Sequence, residues 1–563
     1  MKILIIGGYG TFGGRLAELL SELEVLTLVI AGRSETKAAK FIATLAAGAQ
    51  KLPLAFDRNA DVEKQIGQLK PDLVVDATGP CQLYGDDAYR VVKACLKHNA
   101  NYMDLADGVQ FVDGIEQFDI EAKARGLFVL SGVSSFPVLT AAAVRKLSRG
   151  MQQVTDIKGG IAPSPYAGIG LNVLRAIAGY AGKPVKIIRN GRPLKSYALT
   201  DSFDYTIAPP GYLPLRSRCF SLMDVPDISV MPKLWPGLNS MWMGAGPVPG
   251  IFHAAFRWLA WLVRLRLLPT LSPLAPLFHF VSRTLRWGEH RGGMFVSITG
   301  RQHGGETIER SWHLIAEGDD GPYIPSMAIE GIIRRSLAGG NPQKGARACT
   351  IELELDDYES LLKRRNIHTG IRESISGTVA HSLYREVLGD RWDELPNALK
   401  TIHDHSGNLT AEGIASVERG TGWISAIVAT IFRFPKTSKS IPVRVSFSSR
   451  GNIEHWRRSF GAHSFTSSQT YGSTTGLVSE RFGPFAFDLA LVLEDKKLKL
   501  IVRDWRLFGL RLPRALAPTG NSYEFSEEGR FNFHVEIKHP LTGLIVRYKG
   551  WLLAACDAAA IAI

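Results

Sequence analysis

Residues 1–20, MKILIIGGYGTFGGRLAELL, leave this chain few choices of fold. A short apolar run at 3–6 meets Gly8-Tyr9-Gly10-Thr11-Phe12-Gly13, and then a segment with Leu16, Leu19 and Leu20 on one side. Strand, glycine turn and helix in that order open a βαβ unit. The glycines predict separate jobs: Gly8 the tight turn, Gly10 a close backbone approach to a pyrophosphate, and Gly13 close packing of helix on strand. A helix starting near Thr11 and Phe12 would turn its free N–H groups and positive end toward the phosphates.

The next element selects the nucleotide. Residues 25–31 (VLTLVIA) are an apolar, β-branched run, the pattern of a second strand in a parallel sheet. It ends in Gly32-Arg33-Ser34, where a site selective for NAD carries an acid on the ribose 2′-hydroxyl. Arg33, Ser34 and Lys37 instead offer charge and donors to a 2′-phosphate, while Glu35 sits past that position. The pattern predicts NADP (NADPH).

The alternation continues. Residues 51–57 (KLPLAFD) read as a third strand, with Asp57 at its end able to accept from an adenine amine. Residues 72–78 (DLVVDAT) are a fourth, running through Thr78 into Gly79-Pro80-Cys81. A short fifth lies at 102–105, and a sixth at 127–131 leads into Gly132-Val133-Ser134-Ser135-Phe136-Pro137. Residues 87–98 and 112–125 are helical by spacing. The expectation is an α/β chain whose residues 1–150 form a Rossmann-type, doubly wound parallel sheet. Ligands bind such sheets beyond the carboxyl ends of the strands, so these loops are the candidate active site.

The glycine motif, the strand ending in Ala-Gly-Arg-Ser and the segment Asp76-Ala77-Thr78-Gly79-Pro80 with Tyr84-Gly85 resemble the saccharopine dehydrogenase-like reductases. Asn101-Tyr102-Met103-Asp104-Leu105 and the Ser-Ser-Phe-Pro loop at 134–137 do so as well. The motifs match in order over about the first 150 residues. Asn190-Gly191-Arg192, in an apparent hairpin, and the helix around 328–338 are similar to that family's second domain. From about Ser376 the chain resembles a domain of unknown function fused behind such reductases in bacteria. The resemblance implies the fold and an NADP-linked redox reaction. It leaves the substrate open, because the superfamily spans saccharopine-forming enzymes and lipid enoyl reductases. The expected organisation is a nucleotide domain (1–150), an α+β substrate and dimerisation domain (151–375), and a β-rich domain (376–563).

At 563 residues and 45% hydrophobic, the chain can bury several cores. Cys81, Cys95, Cys219, Cys349 and Cys556 are scattered without CxxC or metal-ligand spacing, which predicts free thiols in a reducing cytoplasm and no metal. Met1-Lys2 runs straight into a strand, so no signal peptide is expected. The net charge of +13 comes with no nucleic-acid-binding motif. It fits phosphorylated ligands or an anionic membrane surface instead.

Residues 247–285 concentrate that charge in an apolar setting: Trp258, Trp261, Phe252, Phe256, Phe278 and Phe280 with Arg257, Arg264, Arg266 and Arg283. The arginines, and Pro269, Pro273 and Pro276, interrupt the run before the about 20 residues a spanning helix needs. The segment reads equally as a helix lying in a membrane interface, with guanidinium groups on lipid phosphates, or as a buried helical hairpin or homodimer contact. The first reading makes the substrate lipidic and sets the protein peripherally on the cytoplasmic membrane face.

Residues 382–403 look helical, and short β-branched and aromatic runs follow at 441–447, 464–472, 487–493, 498–505 and 531–539, the mark of an antiparallel sheet or barrel. Trp456-Arg457-Arg458 and Tyr548-Lys549-Gly550-Trp551 suit aromatics pinning a sheet more than a ligand cavity. His403-Asp404-His405 offers two histidines two residues apart and no third ligand.

Reducing a polarised double bond leaves charge on oxygen or nitrogen, which needs a donor nearby. Tyr84, Asp104 and Ser134 are the catalytic candidates, with Tyr102 and Ser135 behind them. Tyr84 leads because it follows Gly79-Pro80 and a phenol both donates and accepts a proton. The sequence therefore predicts an NADP-dependent oxidoreductase acting on a C=C, C=N or C=O bond of a small-molecule or lipidic substrate. The alternatives are a saccharopine-type amino-acid dehydrogenase and a non-catalytic NADP sensor or lipid-binding protein.

Overall fold

The computed structural model describes residues 1–168, 170–247, 249–284, 286–375, 382–405, 407–450 and 453–554. The chain divides into two compact units, Met1–Tyr205 with Arg218–Thr369, and Thr206–Ser217 with Gly370–Ile563. This differs from the three consecutive domains expected from sequence: the nucleotide and middle portions share one unit, and the second unit borrows 206–217 from inside the middle portion. The expected boundary at Ser376, together with Cys556 and the end of the apolar segment at Leu285, lies outside the described residues.

The first unit opens with β1 (Lys2–Ile6), α1 (Thr11–Leu20), β2 (Thr27–Gly32), α2 (Glu35–Ile42), β3 (Gln50–Ala55), β4 (Leu73–Asp76), β5 (Asn101–Asp104) and β6 (Phe128–Ser131). The strands lie parallel in the order β3-β2-β1-β4-β5-β6. Ile3, Leu4, Ile5 and Ile6 are all buried, as expected for a strand covered on both faces. β1 pairs on opposite edges with β2 and β4, so Ile6 faces Ala31 on one side and Asp76 on the other. The strand order reverses at β1, and the crevice beyond β1 and β4 is the topological switch point. A seventh strand, Gly345–Ala348, extends β6 in parallel and lies far outside the expected 1–150 limit. Its alternation is too short to be read as a strand without the neighbour it completes.

A second, mixed sheet follows in the order Ser202–Tyr205, Arg218–Leu222, Ser240–Ala245, Gln153–Ala162, Gly292–Arg301, Thr307–Ala316 and Ile367–Ile375. The hairpin of Pro184–Arg189 and Arg192–Tyr197 turns at Asn190 and Gly191, both with positive φ (53° and 70°), the geometry that Asn-Gly favours. Three helices pack into a small apolar cluster beside this sheet: Leu171–Tyr180, Gly250–Arg264 and Ala275–Thr284. Small residues face inward, Ala178, Ala260, Val263 and Ala275 among them, while Trp258 (65% exposed), Leu267 (69%) and Phe280 (65%) face outward. No helix among the described residues is long and apolar enough to cross a membrane.

The second unit is a closed antiparallel barrel. Ten strands run from Phe485–Glu494 around to Lys497–Leu507, which pairs back onto Phe485–Glu494, with the two-residue Leu510–Arg511 appended outside the ring. Its interior is filled. Leu383–Leu388 and Asn397–His403 supply Tyr384, Leu388 and Leu399 to the same core as Phe447, Trp456 and Phe460.

Candidate active site

The phosphate end of the site is built by backbone. The turn after β1 adopts its left-handed conformation at Gly7 (φ +77°), one residue before the glycine expected to serve it. Gly8 is needed for close approach instead, since a Cβ there would stand 2.8 Å from the Ile5 carbonyl oxygen. Gly10 N–H donates to the Gly7 carbonyl at 2.8 Å. A Cβ on Gly13 would lie 2.4 Å from that carbonyl oxygen, so only glycine lets α1 pack this closely. No acidic side chain occupies the first turn of α1 and no side chain caps it. The N–H groups of Thr11, Phe12 and Gly13 therefore face outward, as a pyrophosphate requires.

At the end of β2, Arg33 and Lys37 are exposed. Ser34 accepts from Lys37 N–H at 3.4 Å and caps α2, and its own N–H donates to the Tyr9 hydroxyl at 3.1 Å. Tyr9, which sequence reasoning passed over, thus ties the glycine turn to the basic strand end. Asp57, beyond β3, accepts from Asn59 N–H at 2.9 Å and is exposed. These groups fit NADP: an open helix terminus for the pyrophosphate and a strand end with guanidinium, ammonium and hydroxyl groups for a 2′-phosphate.

Beyond β4, Asp76 is buried and paired with Arg58 at 3.2 Å. Asp76 Oδ1 accepts from the Thr78 N–H and hydroxyl, which shapes the turn into Gly79. The Tyr84 hydroxyl donates to the Thr78 carbonyl at 2.7 Å, and the Arg58 guanidinium lies 3.3 Å from the centre of its ring. Burial, then the Asp76 charge, pushes the Tyr84 phenol well above its ordinary range. In this structure its proton is engaged in holding the Thr78–Pro80 loop.

Asp104 and Ser134 lie at the ends of β5 and β6, where the sequence places them. Asp104 is buried at the end of β5 and accepts from Ala106 N–H (2.9 Å), Ser131 Oγ (3.0 Å) and Gly132 N–H (2.8 Å), tying together the loops after β5 and β6. Burial pushes its carboxyl up to about 6. Ser131 is the serine bonded to it. Ser134 is half-buried, and its N–H donates to the Gly132 carbonyl at 2.8 Å.

Three other ionisable groups, Asp107, Tyr180 and Asp224, lie within Coulombic range of one another. Asp107, three residues past the end of β5, accepts from Gln82 Nε2 at 3.2 Å and faces the Cys81 thiol at 3.9 Å. Tyr180 and Asp224 belong to the second sheet portion, with both carboxylates within Coulombic range of the phenol. Burial raises the Asp107 and Asp224 carboxyls, and burial followed by the two acids pushes the Tyr180 phenol well above its usual range. Asn172 Nδ2, on the same helix as Tyr180, donates to the Gly79 carbonyl at 2.9 Å. The strand-end rule could have found Asp107. Nothing local marks Tyr180 or Asp224.

Cys81, Cys95, Cys219 and Cys349 are free thiols. Among the described residues no group of His, Cys, Asp and Glu could hold a metal. His403 is buried and bonded to Glu524 at 2.6 Å.

Fold, glycine turn and basic strand end define the class, an NAD(P)-dependent oxidoreductase. Residues 3–129 match the family model described as saccharopine dehydrogenase NADP binding domain. Residues 395–552 match a domain of unknown function, DUF4166. The chain therefore joins an NADP-binding domain of the saccharopine dehydrogenase type to a DUF4166 domain, and its cofactor is NADP. No curated protein matches it. Among solved structures, saccharopine dehydrogenase (L-Glu forming) from Saccharomyces cerevisiae is 12% identical, with 67% of this chain and 100% of that one covered at a TM-score of 0.47. Biliverdin reductase from Synechocystis sp. PCC 6803 is 14% identical, with 63% and 94% covered at a TM-score of 0.29. A meso-DAPDH variant from Clostridium tetani E88 is 15% identical, with 64% and 98% covered at 0.31. At such scores these likenesses say nothing about substrate.

Proposed function

We propose that this oxidoreductase uses NADPH to reduce a polarised C=C, C=N or C=O bond of a lipidic substrate drawn from the cytoplasmic face of a membrane. One observation carries the reading: the helix Leu171–Tyr180 serves both the cleft and the apolar helical pair. Asn172 holds the Gly79 carbonyl and Tyr180 lies within Coulombic range of Asp107, while Leu171, Ile177 and Ala178 pack against the Gly250–Arg264 and Ala275–Thr284 helices. Residues 228–288 contain no Asp or Glu, and Arg266, Arg283 and Arg286 are exposed among the outward aromatics. Such a face suits an anionic lipid interface. The free thiols support a reducing, cytoplasmic setting.

When bound, NADPH supplies the hydride. The N–H groups of Thr11, Phe12 and Gly13 would hold its pyrophosphate, Arg33, Ser34 and Lys37 its 2′-phosphate, and Asp57 its adenine amine. Thr78, Gly79 and Pro80, fixed by Asp76 and Tyr84, would complete its binding site. Tyr180 donates a hydrogen bond to the charge that develops on the substrate, and Asp107, raised by burial, delivers the proton with Asp224 beside it.

The test is NADPH oxidation by the full chain with lipid-extract vesicles. Asp107→Asn and Tyr180→Phe should each lower kcat by about 10²-fold or more with NADPH affinity unchanged. Unchanged turnover in both variants would refute the proton assignment, and no turnover above background on any extract would refute the lipid reading. Trp258→Glu/Phe280→Glu should abolish flotation with anionic vesicles. If that pair instead converts a dimer to a monomer in light scattering, the face belongs to a second copy of this chain.

A further inference from the structure

The helix Trp423–Ile431 joins the strands Asn408–Arg419 and Ser438–Arg450 of the barrel and turns its small side chains inward. Ser425 and Ala429 are buried: the Ser425 hydroxyl donates to the Leu544 carbonyl, and Ala429 packs in the barrel core. Large apolar groups lie on the other side. Trp423 (74% exposed), Ile427 and Ile431 recur every four residues along the outer face, with Ile424 exposed beside them. A helix at a water-facing surface presents polar residues there. This one carries no charged residue.

A second exposed apolar element adjoins it. The Phe432 ring, just past the helix, lies 5.3 Å from that of Phe485, and the Phe508 N–H donates to the Pro484 carbonyl at 2.9 Å. The hairpin tip of 508–510 is thereby held beside the helix, and its Phe508 (78%) and Leu510 are exposed as well. Adjoining apolar surface of this kind costs free energy in water, which a partner recovers by covering it.

Charge identifies the partner. No Asp or Glu occurs between Glu418 and Glu454, nor from 505 to 523. Arg433, Lys436 and Lys439, which follow the helix, are exposed, and no ion pair or hydrogen bond engages their side chains among the described residues. A second copy of this chain would set these like charges against one another. An anionic bilayer suits both features: the indole at headgroup depth, the isoleucines at the acyl boundary, and the cations on lipid phosphates. We infer that this face of the second unit docks on an anionic phospholipid membrane. It shares no residue with the Gly250–Arg264 and Ala275–Thr284 helices, and so stands or falls apart from them.

Two surfaces on one chain reinforce each other's binding, so they are read segment by segment. Amide hydrogen exchange is measured on the full chain with and without phosphatidylglycerol vesicles. Exchange in peptides covering 423–431 and 508–510 should slow several-fold on the vesicles. Trp423→Glu/Ile427→Glu should remove that slowing and leave Tm and NADPH affinity unchanged, because both side chains are exposed. Arg433→Gln/Lys436→Gln/Lys439→Gln keeps the apolar face and should weaken partitioning onto these vesicles at least about tenfold in a flotation assay. Slowing confined to 250–284 overturns this proposal and leaves the first unit's interface standing. Slowing at 423–431 and 508–510 alone upholds it and removes the other. No slowing in any of these segments, or equal partitioning onto neutral phosphatidylcholine vesicles, overturns it. So does conversion of a dimer to a monomer by Trp423→Glu/Ile427→Glu in light scattering, which would give the face to a second copy of this chain.

Discussion

The two units differ in degree in how they treat buried charge. In the barrel, most buried acids meet bases: Glu480 accepts from Arg458 at 3.0 Å and shares Ser467 with it, and Glu524 meets His403 at 2.6 Å, while Glu454 accepts from Trp456 instead. In the first unit, Asp76, Glu330 and Glu352 have Arg58, Arg334 and Arg347, but Asp104 and Asp227 are buried with no ion pair among the described residues. Architecture explains the contrast. A closed barrel has no open end within its hydrogen-bonded wall, so polar groups pointing inward must be satisfied by one another and by the helices that fill it. An open parallel sheet leaves a crevice at its switch point, where a ligand or a proton can complete what the fold leaves unpaired.

The contrast can be broken most forcefully in the barrel. Arg458→Met leaves Glu480 buried without its base and should cost about 3–5 kcal/mol of the second unit's stability in a denaturant titration. NADPH affinity should stay at the wild-type value, and a parallel fall in affinity would mean that the first unit depends on the barrel's integrity.

Asp227 sharpens the other side. Burial pushes its carboxyl up to about 7, against 3.8 for the ordinary group. Between those values the native state holds a proton that the unfolded chain has lost, so stability falls as pH rises through that window and levels off above about pH 7. Asp227→Asn should flatten this dependence by on the order of 4 kcal/mol, read from unfolding at pH 4.5 and pH 8. An unchanged slope would reassign the dependence to Asp104.

Gly13→Ala should cost about 1–3 kcal/mol in Tm-derived stability, because backbone rather than a flexible side chain meets the new methyl. NADPH binding should weaken with it as α1 is displaced. The mildest expected effect is at the strand end: Arg33→Asp should cost about 1–3 kcal/mol of NADPH affinity, measured by fluorescence titration, and leave NADH binding nearly unchanged. Equal loss for both nucleotides would show that Arg33 shapes the loop and does not read the 2′-phosphate.

Most of the nucleotide sheet was legible from sequence, because strand, turn and helix signals there span only a few residues each. Asn190-Gly191 likewise announced its hairpin. The register of the first turn was not legible: Gly7 and Gly8 are adjacent, and only the fold decides which takes positive φ. Tyr84 was singled out for its position after Gly79-Pro80, yet its hydroxyl is spent on the Thr78 carbonyl. Tyr180 and Asp224 carry no spacing signal, since they and Asp107 come from segments well separated along the chain. The strands of the second unit could be read one by one, whereas the closure of Lys497–Leu507 onto Phe485–Glu494 could not.

By itself the sequence determined the coenzyme-binding βαβ unit, its preference for a phosphorylated ribose and the β-rich character of the C-terminal half. Backbone conformation and phosphate electrostatics act within a turn or a strand end, where neighbours in sequence are neighbours in space. The tertiary structure alone decided which acids lie within Coulombic range of one phenol and which strands close the barrel. Those outcomes depend on side chains brought together over long separations by sheet pairing and helix packing, and no local pattern encodes them.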